Sequence, residues 1–148
     1  MSIWLRLFAL VCAVSCWHGA AAAGEKPSVV LFLADDLGYG DVGAFYPPTP
    51  INTPNIDRLA AEGSKFTSFY AAPICTPSRA AMLTGRYQVR DGWGPALSPT
   101  STDGIDRTTL ADRLQRNCYA TALIGKWHLG LLPEFYPTRH GFITFVGM

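Results

Sequence analysis

An apolar run that ends in two carboxylates limits the folds open to this chain more than any other feature. Residues 28–34 read S-V-V-L-F-L-A, a pattern typical of a strand buried on both faces of a parallel sheet. Asp35 and Asp36 follow at once, at the strand end where open α/β sheets bind their ligands. Adjacent aspartates repel each other unless a cation or a proton lies between them. The pair therefore predicts a site for Ca²⁺ or Mg²⁺, with a solvated turn as the alternative.

A second group of polar residues lies at the end of a predicted element, in this case at the start of a helix. The stretch from Cys75 to Arg86 reads C-T-P-S-R-A-A-M-L-T-G-R, which predicts a helix from near Pro77 to near Gly85. Cys75 then lies just before a helix N-terminus, where free N–H groups favour anions, and Arg79 can point toward the same anion. Such a cysteine is a reactive thiolate, a metal ligand or a precursor for chemical conversion. The alternative is a buried structural cysteine.

A third group of polar residues follows a predicted strand late in the chain. An amphipathic helix is predicted over residues 108–117 and a buried strand over 119–125, and the strand runs into K-W-H-L-G. Spacing of two in an extended segment puts Lys126 and His128 on the same side. One supplies a fixed positive charge and the other an acid–base group. An ordinary surface lysine and a histidine at the edge of the core are the alternatives.

The remaining elements complete an α/β pattern. A helix is predicted over Pro54–Glu62, with Ile56 and Leu59 on its apolar face, and a strand or extended segment over 64–70. Residues 91–107 are rich in Gly, Pro, Ser, Thr and Asp, which predicts a long surface loop suited to border a substrate cleft. Strands and helices in this order indicate a mostly parallel sheet flanked by helices.

The N-terminus has the layout of a secretory signal peptide. An apolar run over residues 3–14 is followed by small residues over 19–24, which predicts a signal peptide at 1–23 and a mature part at 24–148. A membrane anchor is the alternative, although the run is shorter than the roughly 20 residues that span a bilayer. Cys118 is expected to be a small core residue or to pair outside this chain.

Composition bounds the function classes. A chain of 148 residues has room for one ordinary domain, and 49% hydrophobic residues fit a globular core. The formal net charge of +1 offers no electrostatic case for a nucleic acid or a membrane surface as partner.

Taken together, the polar residues at the ends of these three elements suit a site that binds a tetrahedral oxyanion. The sequence resembles the sulfatase family of the alkaline phosphatase superfamily. Five motifs, spread over almost the whole predicted mature part, carry the resemblance. They are L-A-D-D-L-G-Y-G-D from Leu33, T-P-N-I-D-R-L-A-A-E-G from Thr53, C-T-P-S-R-A-A-M-L-T-G-R from Cys75, G-K-W-H-L-G from Gly125 and H-G-F from His140. The resemblance implies an alkaline phosphatase-like fold, incomplete in this chain.

The resemblance also implies a chemistry for Cys75. A formylglycine-generating enzyme that reads C-x-P-x-R would oxidise it in the endoplasmic reticulum, and the resulting aldehyde would hydrate to a diol. One hydroxyl would attack the sulfur of a sulfate ester, and the second would lose its proton as sulfate leaves. Asp35 and Asp36 match the first two calcium ligands of the family, and the converted Cys75 would contact the same Ca²⁺.

Three further residues match family positions. Arg79 and Lys126 match residues that hold the formylglycine and neutralise sulfate charge. His128 matches the histidine that contacts the diol and assists elimination. Lys126 and His128 would also bind the substrate, a sulfate ester such as an aryl sulfate, a sulfated glycan or a sulfolipid.

Departures from the family pattern limit what is expected of this chain alone. The family has further calcium ligands, a second histidine and a second lysine downstream of the residues seen here. We therefore expect a truncated N-terminal part that is inactive by itself. The resemblance implies passage to the lysosome or the outside of the cell, and relatives that are often homodimeric. The alternatives are a non-catalytic truncated isoform and a related phosphatase or phosphodiesterase, which C-x-P-S-R disfavours.

Overall fold

Two units make up the chain, residues 1–33 and residues 34–148. The structure is a computed structural model that describes residues 26–98 and 100–148. The described part of the first unit, residues 26–33, contains no helix or strand. The predicted signal peptide at 1–23 lies outside the described residues. Within the described ranges, no helix is long and apolar enough to cross a bilayer.

A small parallel sheet lies in the second unit. Strand β1 spans Ala122–Gly125 and pairs with strand β2 at Thr144–Gly147, with Ala122 opposite Thr144. The connection between them holds two short 3-10 helices, Pro133–Phe135 and Pro137–Arg139, as parallel strands need a crossover of a dozen or more residues. Strand β1 ends at Gly125, as the sequence predicted.

Among residues 26–98 and 100–148, three α-helices precede the sheet. Helix α1 spans Pro54–Glu62, α2 spans Cys75–Thr84 and α3 spans Leu110–Arg116. Two further 3-10 helices cover Tyr39–Asp41 and Gln88–Asp91. The three α-helices occupy the predicted places, because each has a start or stop signal in the sequence: proline in the first turn of α1 and α2, a threonine cap at α3, and glycine after α1 and α2.

The core connects helix α2 with the segment that follows strand β1. Its buried residues are Ala80, Leu83, Ile105, Trp127 and Leu129. The first two come from α2 and the last two directly follow β1, so burial of these apolar side chains holds the two segments together. This packing brings the start of α2 close to the polar residues after β1.

One predicted strand is absent, and residues 64–70, predicted as a strand or extended segment, form no strand. Residues 28–34 form no strand, and Phe32 is 87% exposed. Residues 64–70 form turns and irregular structure, with Tyr70 89% exposed. An apolar pattern indicates that a segment suits burial, but a strand forms only when a partner accepts its hydrogen bonds. In the described part of the chain, the sheet consists of β1 and β2 alone.

The apolar face of α1 is exposed, and the expected core position of Cys118 is wrong, while its pairing outside this chain stays a prediction. Leu59, on the apolar face of α1, is 68% exposed, and no residue of that helix is buried. Cys118 is exposed and has a φ of 63°, because it follows the end of α3 where the chain turns toward β1. Cys75 and Cys118 are both free thiols.

Candidate active site

Cys75 occupies the first position of helix α2. The helix begins two residues earlier than the predicted start near Pro77, so Cys75 belongs to the first turn. The hydroxyl of Ser78 donates to the carbonyl oxygens of Ala72 and Ile74, both at 2.8 Å. These bonds fix the loop that delivers the half-buried cysteine. The helix ends before Gly85, close to the predicted end, and Gly85 has the left-handed conformation.

His128 meets the Cys75 side chain. Its Nδ1 lies 3.2 Å from the Cys75 Sγ, and its Nε2 lies 3.1 Å from the carbonyl oxygen of Leu97. The backbone of His128 has a φ of 58°, a conformation that costs a non-glycine residue of the order of 1–3 kcal/mol and clusters at functional sites. The surrounding contacts must therefore hold this residue in place.

Trp127 anchors the two polar residues beside it. It is buried, and its indole N–H donates to the carbonyl oxygen of Phe135 at 2.9 Å. With Trp127 in the core, Lys126 and His128 reach Asp35 and Cys75 respectively. Both polar side chains thus reach the cluster, although the left-handed backbone of His128 departs from the extended segment predicted from the sequence.

Asp35 bridges two cations. Its Oδ2 accepts from the Nζ of Lys126 at 2.5 Å, and its Oδ1 accepts from Nη2 of Arg79 at 3.2 Å. Arg79 also donates through Nη1 to the carbonyl oxygen of Lys126 at 2.5 Å, and its side chain is 9% exposed. One buried guanidinium therefore links helix α2, the segment after β1 and the carboxylate at residue 35.

These ion pairs shift the pKa of each partner. The hydrogen bond from Lys126, followed by that from Arg79, lowers the pKa of Asp35. The hydrogen bond to Asp35 raises the pKa of Lys126. Asp35 is therefore a carboxylate and Lys126 an ammonium over the whole neutral range.

The lowered pKa of Asp35 gives a testable pH dependence. Ion pairs of a carboxylate with a lowered pKa stabilise the fold above its ordinary pKa of 3.8, and this contribution is lost as the pH falls through the lowered value. We expect an Asp35→Asn chain to be less stable than wild type at neutral pH, with the difference shrinking in that acidic window. Urea unfolding at a series of pH values, with a chelator present, measures it.

An exposed aspartate provides the control for that series. Asp103 bonds to the hydroxyl of Ser101, and Asp103→Asn should change the free energy of unfolding little at any pH. If the Asp35→Asn difference stayed constant down to strong acid, the ion pairs would not be its source.

The predicted metal ligands are only partly brought together. Within residues 26–98 and 100–148, no three His, Cys, Asp or Glu side chains gather as a cation site. Asp36 is exposed with a φ of 58°, and none of the described contacts joins it to Asp35 or Cys75. The carboxylates fit Ca²⁺ in kind, but Ca²⁺ takes 6–8 oxygens. The thiol of Cys75 is a softer ligand than Ca²⁺ prefers. Calcium binding at these three residues stays a prediction.

The sequence did not point to two residues that contact the site. Thr76 is fully buried, and its hydroxyl accepts from the N–H of Leu97 at 3.1 Å. Its place inside C-T-P-S-R was the available signal. Leu97 acts through its backbone, which no side-chain pattern reveals.

Comparisons with known proteins agree with the motifs. A family model described as Sulfatase matches residues 27–148. Arylsulfatase A of Bos taurus is 50% identical over 133 residues, which cover 86% of this chain and 26% of that protein. N-acetylgalactosamine-6-sulfatase of Canis lupus familiaris is 43% identical over 140 residues, covering 87% and 27%. The chain thus spans about a quarter of the length of these relatives.

A solved structure extends the likeness to the fold. The crystal structure of Ps i-CgsB superposes with a TM-score of 0.76 at 42% identity, over 84% of this chain and 29% of that one. These matches confirm the family resemblance and the α/β fold class that the sequence predicted.

Proposed function

Because this chain belongs to the sulfatase family, we propose that its residues form the nucleophile side of an active site that hydrolyses sulfate esters. The observation that carries this proposal is the contact of 3.2 Å between Cys75 Sγ and His128 Nδ1. A second contact supports it, since Arg79 from the same helix reaches Asp35 and the backbone of Lys126. A modifiable side chain, an acid–base group and two cations thus belong to one cluster.

Cys75 is the proposed precursor of the nucleophile. Converted to formylglycine and hydrated, residue 75 would offer one hydroxyl to attack sulfur and a second to lose its proton when sulfate leaves. A serine or cysteine ester lacks that second hydroxyl, which explains why the thiol would be exchanged. His128 Nδ1 lies within reach of residue 75 and takes the role of proton acceptor.

The two cations take the role of charge stabilisers. Lys126 is an ammonium at neutral pH and Arg79 is always charged, so both can stabilise negative charge on a sulfate group. In the structure both bond to Asp35. We propose that Asp35 and Asp36 hold Ca²⁺, which when bound supplies positive charge to residue 75. Water or further protein ligands would have to complete its shell.

Substrate and destination are proposed from the family. The substrate class is a sulfate ester, whether an aryl sulfate, a sulfated glycan or a sulfolipid, and the formylglycine-generating enzyme is the proposed modifying partner. We propose the secretory pathway, ending in the lysosome or outside the cell, with a homodimer as the assembly. A phosphatase or phosphodiesterase relative remains the second candidate, and it would leave the thiol of Cys75 unchanged.

Mass spectrometry of the Cys75 peptide tests the proposed function. In secretory cells that modify other sulfatases, we expect a mass lower by about 18 Da, since CH₂–SH becomes CHO. Cys118 is a matched internal control, because it is an exposed free thiol without the C-x-P-x-R pattern. An unmodified thiol at both positions would contradict the proposal.

Turnover by the 148-residue chain alone is a separate prediction. With Ca²⁺ and an aryl sulfate, we expect no hydrolysis above background even after conversion of Cys75, because two carboxylates leave the cation short of ligands. Release of the coloured phenol measures it. Turnover that a Cys75→Ala chain lacks would overturn the expectation and show that these residues suffice.

A further inference from the structure

Leu97 joins two residues on either side of the candidate nucleophile. Its N–H donates to the Thr76 hydroxyl at 3.1 Å, and its carbonyl oxygen lies 3.1 Å from His128 Nε2. Thr76 is fully buried directly after Cys75. The two peptide groups that flank the Cα of Leu97 therefore connect Thr76 with the imidazole that contacts Cys75, through one hydrogen bond each.

The chemistry of these atoms decides the tautomer of the imidazole. A carbonyl oxygen has no proton to give, so Nε2 of His128 must be the donor in its contact with Leu97. In the neutral ring, Nδ1 then carries the free lone pair. That lone pair faces Cys75, and the proton in the contact comes from the side chain of residue 75.

We propose that Thr76 and Leu97 are positioning residues that hold His128 in its Nε2–H tautomer with Nδ1 as the acceptor. This rests on the proposed function, in which a proton passes from the hydroxyl of residue 75 to Nδ1. The resulting imidazolium keeps its bond from Nε2–H to the Leu97 carbonyl, and the negative charge stays on the oxygen of residue 75.

Described residues on both sides of Leu97 contact other parts of the chain. Asp91 is 4% exposed at its side chain and lies 3.6 Å from Nε of Arg107, so an ion pair joins the two ends of the loop predicted over 91–107. Nearer the core, the N–H of Ile105 donates to the carbonyl oxygen of Leu129 at 2.8 Å. Leu97 thus lies in sequence between two residues, Asp91 and Ile105, that make such contacts.

Nitrogen NMR of the imidazole rings tests the proposal on the full chain with unmodified Cys75. At about pH 7.5, above the ordinary pKa of an imidazole and below that of a thiol, we expect His128 to be protonated at Nε2 and both this proton and the Leu97 amide to exchange slowly. Chains with His18→Gln or His140→Gln assign the signals. A ring protonated at Nδ1 in wild type would overturn the proposal outright.

Variants at Thr76 test whether this residue positions His128 through Leu97. Thr76→Val keeps the shape but removes the acceptor, so both protons should exchange about fivefold faster. Thr76→Ser keeps the hydroxyl and should stay within about twofold of wild type. The Ile105 amide is the control, because general loosening would speed its exchange as well. If Thr76→Val does not fold, Thr76→Ala gives the same comparison.

Unchanged exchange of both protons in the folded variant would refute the role of Thr76. Conversion of Cys75 is followed in separate samples by mass spectrometry. A thiol that is never converted would contradict the proposed function while leaving the tautomer measurement intact, so the two failures are distinguishable.

Discussion

A Gly141→Ala chain is expected to lose at least about 4 kcal/mol of its free energy of unfolding, enough to leave many domains unfolded. Gly141 has a φ of 84°, which an alanine side chain disfavours. A Cβ at this position would also overlap backbone atoms of Ala111 and Asp112. Backbone cannot move aside as a flexible side chain can, so the helix start and the chain at residue 141 would have to separate.

Hydrogen bonds on both sides prevent an easy adjustment. The Thr109 hydroxyl donates to the carbonyl oxygen of His140 at 2.7 Å, and the Thr121 hydroxyl donates to that of Gly141 at 2.5 Å. Both threonines are buried. A shift of the backbone at residue 141 would break these bonds, each of which contributes to the stability of the fold.

Gly85→Ala provides the matched control. Gly85 has a φ of 69°, but a Cβ there would meet no atom within 4 Å. We expect a loss of only about 1 kcal/mol from the left-handed conformation. Urea unfolding followed by circular dichroism measures both variants. Similar losses for Gly85→Ala and Gly141→Ala would show that conformation, not the close approach of backbone, decides the cost.

This pair of glycines shows what a motif does and does not predict. The sequence resemblance included H-G-F from His140, yet no pattern in the sequence states that Gly141 touches the start of helix α3. Gly85 was predicted as a helix stop because the rule for it is local. Contacts between distant segments have no such local signal.

The same division applies to the candidate site. Asp35, Arg79, Lys126 and His128 were selected from the ends of predicted elements and from the resemblance, and the structure connects them around Cys75. Their contacts do not arise from the ends of parallel strands, because residues 28–34 form no strand and Arg79 lies within helix α2, and their roles stay a prediction. Which residue contacts which partner was not predictable, since this depends on the length of each side chain and on backbone atoms such as the Lys126 carbonyl oxygen.

Strand prediction was less successful, also for a physical reason. Residues 28–34 have the composition of a buried strand, but composition does not show whether a partner strand is available to pair with them. Helices Pro54–Glu62 and Cys75–Thr84 close their own hydrogen bonds and so could be located from sequence. A strand needs a partner elsewhere in the protein, and the apolar residues from Val29 to Phe32 are exposed here.

Arg79 bonds both to Asp35 and to the backbone of Lys126, and we expect its substitution to change both the stability of the chain and the conversion of Cys75. Arg79→Met keeps much of the apolar stem but removes the ion pair with Asp35 and the bond to the Lys126 carbonyl. We expect the free energy of unfolding to fall by about 1.5 kcal/mol, mainly because the Lys126 carbonyl oxygen loses a charged donor. The lost pair with Asp35 adds little, because that carboxylate is partly exposed and Lys126 still neutralises it. Urea unfolding measures this loss.

Conversion of Cys75 provides the second readout. Arg79 is the arginine of C-x-P-x-R, so Arg79→Met should also abolish the mass decrease of the Cys75 peptide in secretory cells. Arg90→Met is the matched control, since Arg90 is exposed on the neighbouring 3-10 helix and should change both readouts little.

Arg79→Lys separates charge from geometry, because lysine keeps the charge but cannot reproduce the planar fork that reaches two acceptors. Full stability with Arg79→Lys would mean that charge alone holds the cluster together. A loss close to that of Arg79→Met would mean that helix α2 is held to the segment after β1 by the guanidinium geometry.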